Sequence, residues 1–351
     1  MAGSSHIGIV VCGAGVFGRN HLRVYRALED DGAPVRLAGV VEPDLTRAGA
    51  AATDWGAPVF SSVEECLAAR ARNEVHFEAA SVCAPTLAHF EVAAGLLRAG
   101  VDVLVEKPIT ASIEEADRLI DLAAENGRVL QAGHLERFNP AVTATEPILN
   151  HPMFFEAHRL SIFSPRSLDV DVVLDLMVHD LDIVLSLVRS PVRSLAAVGL
   201  PILSRKVDIA NVRVEFESGC VANFTASRVS TEKVRKLRFF QPHQYVSIDY
   251  ARQDLLVIDV SRAAEGDASA MAAAAVGNVA GFPGLNIQKP AVKPGEPLRL
   301  EIEAFLECVR TRARPRVSGE DGRTALALAL EINAAIAVHA ERAGLQRLIH
   351  S

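Results

Sequence analysis

The sequence predicts an α/β protein, with an N-terminal doubly wound parallel sheet (residues 1–133) followed by an α/β domain with a large, mostly antiparallel open sheet (134–351). Three observations predict it. Apolar runs and helical patterns alternate through the first third. A glycine turn, GAGVFG from Gly13 to Gly18, joins the first run to the first helix. After about Gly133 strand-like runs follow one another with few helices between them. The 351 residues suffice for two cores, since single cores stop growing at roughly 250–300 residues.

In the first third, Ile7–Val11, Val35–Val41, Val75–Cys83, Val101–Val105 and Val129–Ala132 read as buried parallel strands. Ser62 with Glu65 and Ser112 with Glu115 form capping boxes that start helices between them, and Gly127 stands where the second of these helices should end. Beyond Gly133 a helix is expected over Leu174–Val188. Strands are expected at Val212–Phe216, Val221–Ala226, Leu237–Phe240 and Tyr245–Asp249, with a turn at Ser218-Gly219. The Ala-, Gly- and Pro-rich stretch 263–297 reads as a long loop, and two helices, Leu298–Thr311 and Gly322–Ala343, close the chain.

Composition excludes several functions. The net charge of −7 and pI near 5.9 disfavour a general nucleic-acid or anionic-membrane surface. Five cysteines without a CxxC or a Cys/His pair at metal spacing fit reduced thiols. Ile7–Phe17 is apolar, but it lacks a basic leader and contains three glycines, so it is a poor signal sequence. No run of 18 purely apolar residues is evident. The best candidate is broken by Asp175, His179, Asp180 and Asp182. The expectation is a soluble cytoplasmic protein with no nucleic-acid or membrane partner.

The glycine turn carries the clearest chemistry. Gly13 permits a tight turn, Gly15 lets the backbone approach a pyrophosphate, and Gly18 lets helix and strand pack closely. Glu42, 24 positions beyond Gly18 at the end of the second strand, is placed to accept hydrogen bonds from an adenosine ribose, which favours NAD over NADP. Val16 and Phe17 within the turn complete the cofactor loop. Pro85, Thr86 and His89, at the start of a later helix, Glu106 and Lys107, at the end of the Val101–Val105 strand, and Arg137, after the last strand, are further cofactor candidates.

Lys107, in Glu106-Lys107-Pro108, closes a strand at the sheet end where such folds bind ligands. An ammonium there steadies a developing alkoxide. In DLMVHDLD, Asp175, His179 and Asp182 share one helical face beside an apolar stripe. A carboxylate one turn from a histidine orients the ring as a general base. The same trio also suits zinc, but no further ligands are evident, so no metal is expected. Arg159, Arg166 and the run Lys233, Arg235, Lys236, Arg238 are candidates for a diphosphate, although strand alternation turns only half of that run to one face.

Taken together, GAGVFG, CAPTLAHFEVAAGLLRAGVDVLVEKP, GHLERFNP and DVVLDLMVHDLDIVL resemble the Gfo/Idh/MocA oxidoreductase superfamily. The resemblance implies a Rossmann domain and a second α/β domain whose sheet mediates homodimers or homotetramers. It also implies a catalytic lysine, aspartate and histidine, carried over onto Lys107, Asp175 and His179. Met177 stands in a segment where the family often has glycine, which implies a narrower pocket. The segment HRLSIFSPRSLDVDVVLDLMVHDLD most resembles the branch that oxidises the C3 hydroxyl of UDP-N-acetylglucosamine ahead of amination for lipid A. Lys107, Arg159, Arg166, Asp175 and His179 are then the expected substrate contacts. Oxidation of a free polyol such as inositol, or NAD sensing without turnover, are the alternatives.

Overall fold

The computed structural model describes residues 6–163, 170–260 and 286–345. The chain divides into two compact units, and both are discontinuous. One comprises Met1–Phe138 with Glu296–Ala327; the other comprises Asn139–Gly295 with Leu328–Ser351.

In the first unit the elements run β1 (Ile7–Cys12), α1 (Val16–Asp30), β2 (Val35–Val41), α2 (Leu45–Trp55), β3 (Val59–Phe60) and α3 (Val63–Ala71). They continue as β4 (Ala79–Val82), α4 (Thr86–Arg98), β5 (Asp102–Glu106), α5 (Ile113–Glu125) and β6 (Leu130–Gly133). Six parallel strands lie in the order β3-β2-β1-β4-β5-β6. The order reverses direction between β1 and β4, which opens a crevice at the strands' carboxyl ends. Ser62 and Ser112 cap α3 and α5 by accepting the amides of Glu65 and Glu115. The expected strand Val75–Cys83 shrinks to four residues. Its leading part, with Val75 and Phe77, is buried outside the ladder.

The second unit begins with the short α6 (Pro140–Thr143) and β7 (Phe154–Leu160). A π turn, Val173–Met177, then runs into α7 (Val178–Val188). Next come β8 (Val192–Leu200), β9 (Ile209–Phe216), β10 (Val221–Ser227), β11 (Val234–Gln241), β12 (Gln244–Asp249), β13 (Asp254–Asp259) and β14 (Asn286–Gln288). They form one sheet in the order β14-β13-β12-β11-β7-β10-β9-β8, antiparallel except where β7 meets β10. Burial alternates along its strands, as in β9, where Ala210, Val212, Val214 and Phe216 face inward. That face packs with Leu181 and Val184 of α7 and with Leu328, Ile332 and Ile336. The strands β7, β8, β13 and β14 go beyond those the sequence predicts, and β14 falls within the expected loop 263–297, of which residues 263–285 lie outside the described residues.

The last helices are α8 (Pro297–Thr311) and α9 (Gly319–Arg342). In the first unit α8 buries Leu298, Ile302 and Phe305 with Leu22, Tyr25 and Leu28 of α1. The start of α9 lies close on β6: a methyl added at Gly322 would stand 2.6 Å from the Ala132 Cβ. This return to the first unit differs from the expected contiguous division at residue 133. By length and mean hydropathy (1.3) α9 could cross a membrane. Its Ala325, Leu326, Ala329 and Ile332 are instead buried in the fold.

Candidate active site

The glycine turn forms as its residue types require. Gly13 adopts φ +99° and donates its amide to the Val41 carbonyl at 2.7 Å. A Cβ on Gly18 would sit 1.9 Å from the Gly13 carbonyl oxygen, so only a bare backbone lets α1 start this close to β1. Nothing lies within 4 Å of a Cβ built on Gly15, which caps α1 and faces open space. Val16 and Phe17 follow it, 70% and 37% exposed.

That space belongs to a cavity of about 620 Å³ lined by Gly13, Gly15, Glu42, Arg47, Cys83 and Pro85, among others. Glu42 sits at one end, 3% exposed. One carboxylate oxygen accepts the Ala14 amide at 2.7 Å. The other accepts the Asp44 amide at 3.0 Å and the Arg47 guanidinium at 2.9 Å. Burial raises its pKa, but Arg47 and the two amides outweigh burial and hold it below the usual carboxylate range. A glycine-lined opening at a helix N-terminus with an anionic carboxylate beyond it fits an adenine dinucleotide: backbone for the pyrophosphate, Glu42 for the ribose. Pro85, at the cavity wall, precedes α4, and Thr86 begins that helix.

His89 does not line this cavity. It is 1% exposed, with Nδ1 2.9 Å from the Pro108 carbonyl and Nε2 2.8 Å from the Ala84 carbonyl. The expected cofactor contact is thus corrected to an internal one. Lys107 is half-buried at the end of β5, and its backbone amide donates to the Glu106 carboxylate at 3.2 Å. Glu106 also meets the His21 ring at 2.9 Å. Nearby, His134 is 1% exposed. Burial, with help from the charges of Arg137 and Lys107, pushes its pKa down to about 3, so it stays neutral and adds no charge beside the lysine. Arg137 is half-buried and donates to the Arg316 carbonyl at 3.3 Å.

In the second unit the expected regular helix opens as the π turn, and Asp175 lies within it. Such turns often mark functional sites. Asp171 starts the segment by accepting the amides of Val173 and Leu174, at 2.9 and 3.0 Å, and it holds the Asn333 amide at 3.0 Å. Asp175 and His179 are half-buried on this segment. Asp182, expected on the same open stripe, is 2% exposed. Met177, 1% exposed, packs into the core and does not narrow a pocket. Among the described residues no three His, Cys, Asp or Glu side chains gather as a metal site.

Arg159 is 2% exposed. It donates from Nε and one terminal nitrogen to the two Asp180 oxygens at 2.8 and 2.9 Å, and its guanidinium lies 5.2 Å from the Tyr250 ring centroid. That fork is committed inside the protein, which replaces the expected diphosphate contact by a framework role. Arg166 lies outside the described residues. Of the basic run, Arg235 pairs across the ladder with Arg159 and so shares its sheet face, while Lys236 and Arg238 turn the other way.

Three residues escaped the sequence reading: His21, Asp171 and Asp180. His21 carried a visible signal, because Gly18, Leu22, Tyr25 and Leu28 mark the buried face of α1 and the histidine lies among them. Nothing local distinguishes Asp180 from its acidic neighbours.

Comparison with known proteins agrees with this fold. Residues 7–134 match the family described as an oxidoreductase family with an NAD-binding Rossmann fold, and residues 151–241 match the GFO/IDH/MocA C-terminal domain. The chain is 34% identical over 338 residues to the UDP-N-acetylglucosamine 3-dehydrogenase of Acidithiobacillus ferrooxidans, covering 96% of this chain and 99% of that protein. A solved structure of that enzyme superposes with a TM-score of 0.83 at 35% identity, over 94% of this chain and 97% of the other. An inositol 2-dehydrogenase of Corynebacterium glutamicum is 28% identical over 192 residues, about half of each chain. By these matches along nearly its whole length, the chain belongs to the GFO/IDH/MocA oxidoreductase family.

Proposed function

We propose that this oxidoreductase is an NAD-dependent dehydrogenase that oxidises the C3 hydroxyl of UDP-N-acetylglucosamine to the ketone, ahead of amination toward a diamino sugar. The observation that carries the substrate is likeness over nearly the full chain to an enzyme of that name, whereas the inositol 2-dehydrogenase matches only half. The choice of NAD rests on Glu42, whose carboxylate suits a ribose 2′-hydroxyl and repels a 2′-phosphate.

In this reading Gly13 and Gly15 hold the cofactor's pyrophosphate, Gly18 lets α1 start close enough to present it, and Glu42 takes the ribose. Bound NAD supplies the hydride acceptor. His179, oriented by Asp175, takes the hydroxyl proton, and Lys107 steadies the oxygen as charge develops on it. Neutral His134 beside Lys107 supports that role, since it leaves the ammonium as the cation there. Arg235 takes the place of Arg159 as the candidate for the substrate's diphosphate. It is half-buried on the sheet face shared with Arg159. Five free thiols fit a cytoplasmic protein. The ring cluster Phe154, Phe240 and Tyr245, with centroids 5.6 and 5.2 Å apart, supports a homodimer or homotetramer through the sheet.

The test is NADH formation from NAD and UDP-N-acetylglucosamine with a carbonyl trap to draw the equilibrium. Turnover is expected, with Lys107→Ala and His179→Ala each lowering kcat by about 10²–10⁴-fold. Turnover with myo-inositol but not with the nucleotide sugar would transfer the enzyme to the polyol reading.

A further inference from the structure

Two buried histidines, His21 and His89, converge on the tripeptide that carries Lys107, and neither they nor Glu106 line the cofactor cavity. Before the lysine, Glu106 is 7% exposed. Its Oε1 lies 2.9 Å from His21 Nε2 and its Oε2 accepts the Lys107 amide at 3.2 Å. The carboxylate lies against the bare backbone of β6. A Cβ on Gly133 would stand 2.9 Å from the Glu106 Cα and from its carboxyl carbon. His21 is fully buried on α1, between Gly18 and Tyr25. After the lysine, His89 of α4 reaches the Pro108 carbonyl through Nδ1 and the Ala84 carbonyl through Nε2.

Burying a polar ring costs free energy unless it is hydrogen-bonded, and both rings are; an apolar residue at 21 would leave the buried Glu106 carboxylate without this partner. Both carbonyls facing His89 only accept. A neutral ring donates one N–H to one of them and turns its other nitrogen's lone pair toward the second; the tautomer protonated at Nδ1 is the one that bonds the Pro108 carbonyl. Ala84 adjoins Pro85 and Cys83 at the cavity, so His89 ties the lysine turn to the cavity wall.

We propose that His21 and His89 clamp the Glu106-Lys107-Pro108 turn from both sides and hold Lys107 in its reacting position. They act as positioning residues that touch neither substrate nor cofactor. The proposal rests on the reading of Lys107 as the group that steadies the reacting oxygen. Misplacing such a group by an ångström costs on the order of 10²-fold in rate.

The experiment is a double-mutant cycle read beside hydrogen exchange. His21→Phe and His89→Phe should each lower kcat by about 10–100-fold while the KM for NAD stays within about twofold. In a Lys107→Ala background the same substitutions should cost nothing further. His89→Gln, which keeps an N–H donor, should recover part of the loss. Amide exchange in residues 107–112 should accelerate in both histidine variants, with the α1 and β1 peptides unchanged. A histidine substitution that costs as much without the lysine as with it overturns the clamp, as does unchanged exchange in 107–112. If Lys107→Ala alone leaves kcat intact, or UDP-N-acetylglucosamine is not turned over, the functional reading fails and the exchange data still decide the clamp.

Discussion

Glu42 shows how one side chain can set cofactor choice. Its oxygens are already shared among two amides and Arg47, which keeps it ionised and aimed at the cavity. A hydrogen bond to a charged group contributes roughly 1.5–3 kcal/mol. Glu42→Ala should therefore raise the KM for NAD by about tenfold or more, while NADP loses its repulsion and gains Arg47. Steady-state kinetics with both cofactors read the ratio, and an unchanged ratio would remove Glu42 from discrimination. Arg159 makes the opposite lesson. Its charge suggested a diphosphate, but the partner that decides its role, Asp180, lies on another element. Arg159→Met would strand a buried carboxylate and should cost about 3–5 kcal/mol of stability in urea unfolding. A change in substrate KM at unaltered stability would restore it as a binding residue. Glycine turns and strand-end lysines are legible because their chemistry is local. Arg159 was not, because a long-range pairing fixes its role.

At the scale of elements, the sequence told most where periodicity was strong. Five of the six strands of the first sheet and the starts of α3 and α5 follow from apolar runs and serine caps. The two-residue β3 and the edge strand β8, with its mixed pattern of burial, carry too little periodicity to be seen. The π turn was invisible for a related reason, since the apolar spacing of Leu174, Val178 and Leu181 suits an ordinary helix. What sets it up is Asp171, whose side chain accepts two amides at its start and also grips Asn333. Asp171→Ala should cost about 1 kcal/mol as a lost cap. It should also lower kcat more than it changes the KM for NAD, because Asp175 lies in the turn it fixes and His179 in the first turn of α7 that continues from it. Equal effects on both constants would confine Asp171 to stability.

For the molecule as a whole, buried His134 links stability to pH. Its folded pKa of about 3 lies below the ordinary value of 6.5. The unfolded chain therefore takes up a proton that the folded one refuses. Stability from this residue is complete above pH 6.5 and is lost as pH falls from there toward 3. Urea midpoints measured between pH 7 and 4.5 should fall more steeply for the wild type than for His134→Gln, and parallel slopes would exclude His134 as the source. The presence of two units with different sheets was legible from the change of rhythm near Gly133. The return of α8 to the first unit was not, since an amphipathic helix shows that it has a buried face without showing which core receives it.

That return bears on how the protein is made. A ribosome releases β1 through β6 long before Leu298, Ile302 and Phe305 exist. Until then the nascent first unit shows the apolar flank of α1 to its surroundings. Completion of the dinucleotide-binding half thus waits for nearly the whole chain. The interval is one in which a chaperone that recognises exposed aliphatic and aromatic side chains would find its substrate.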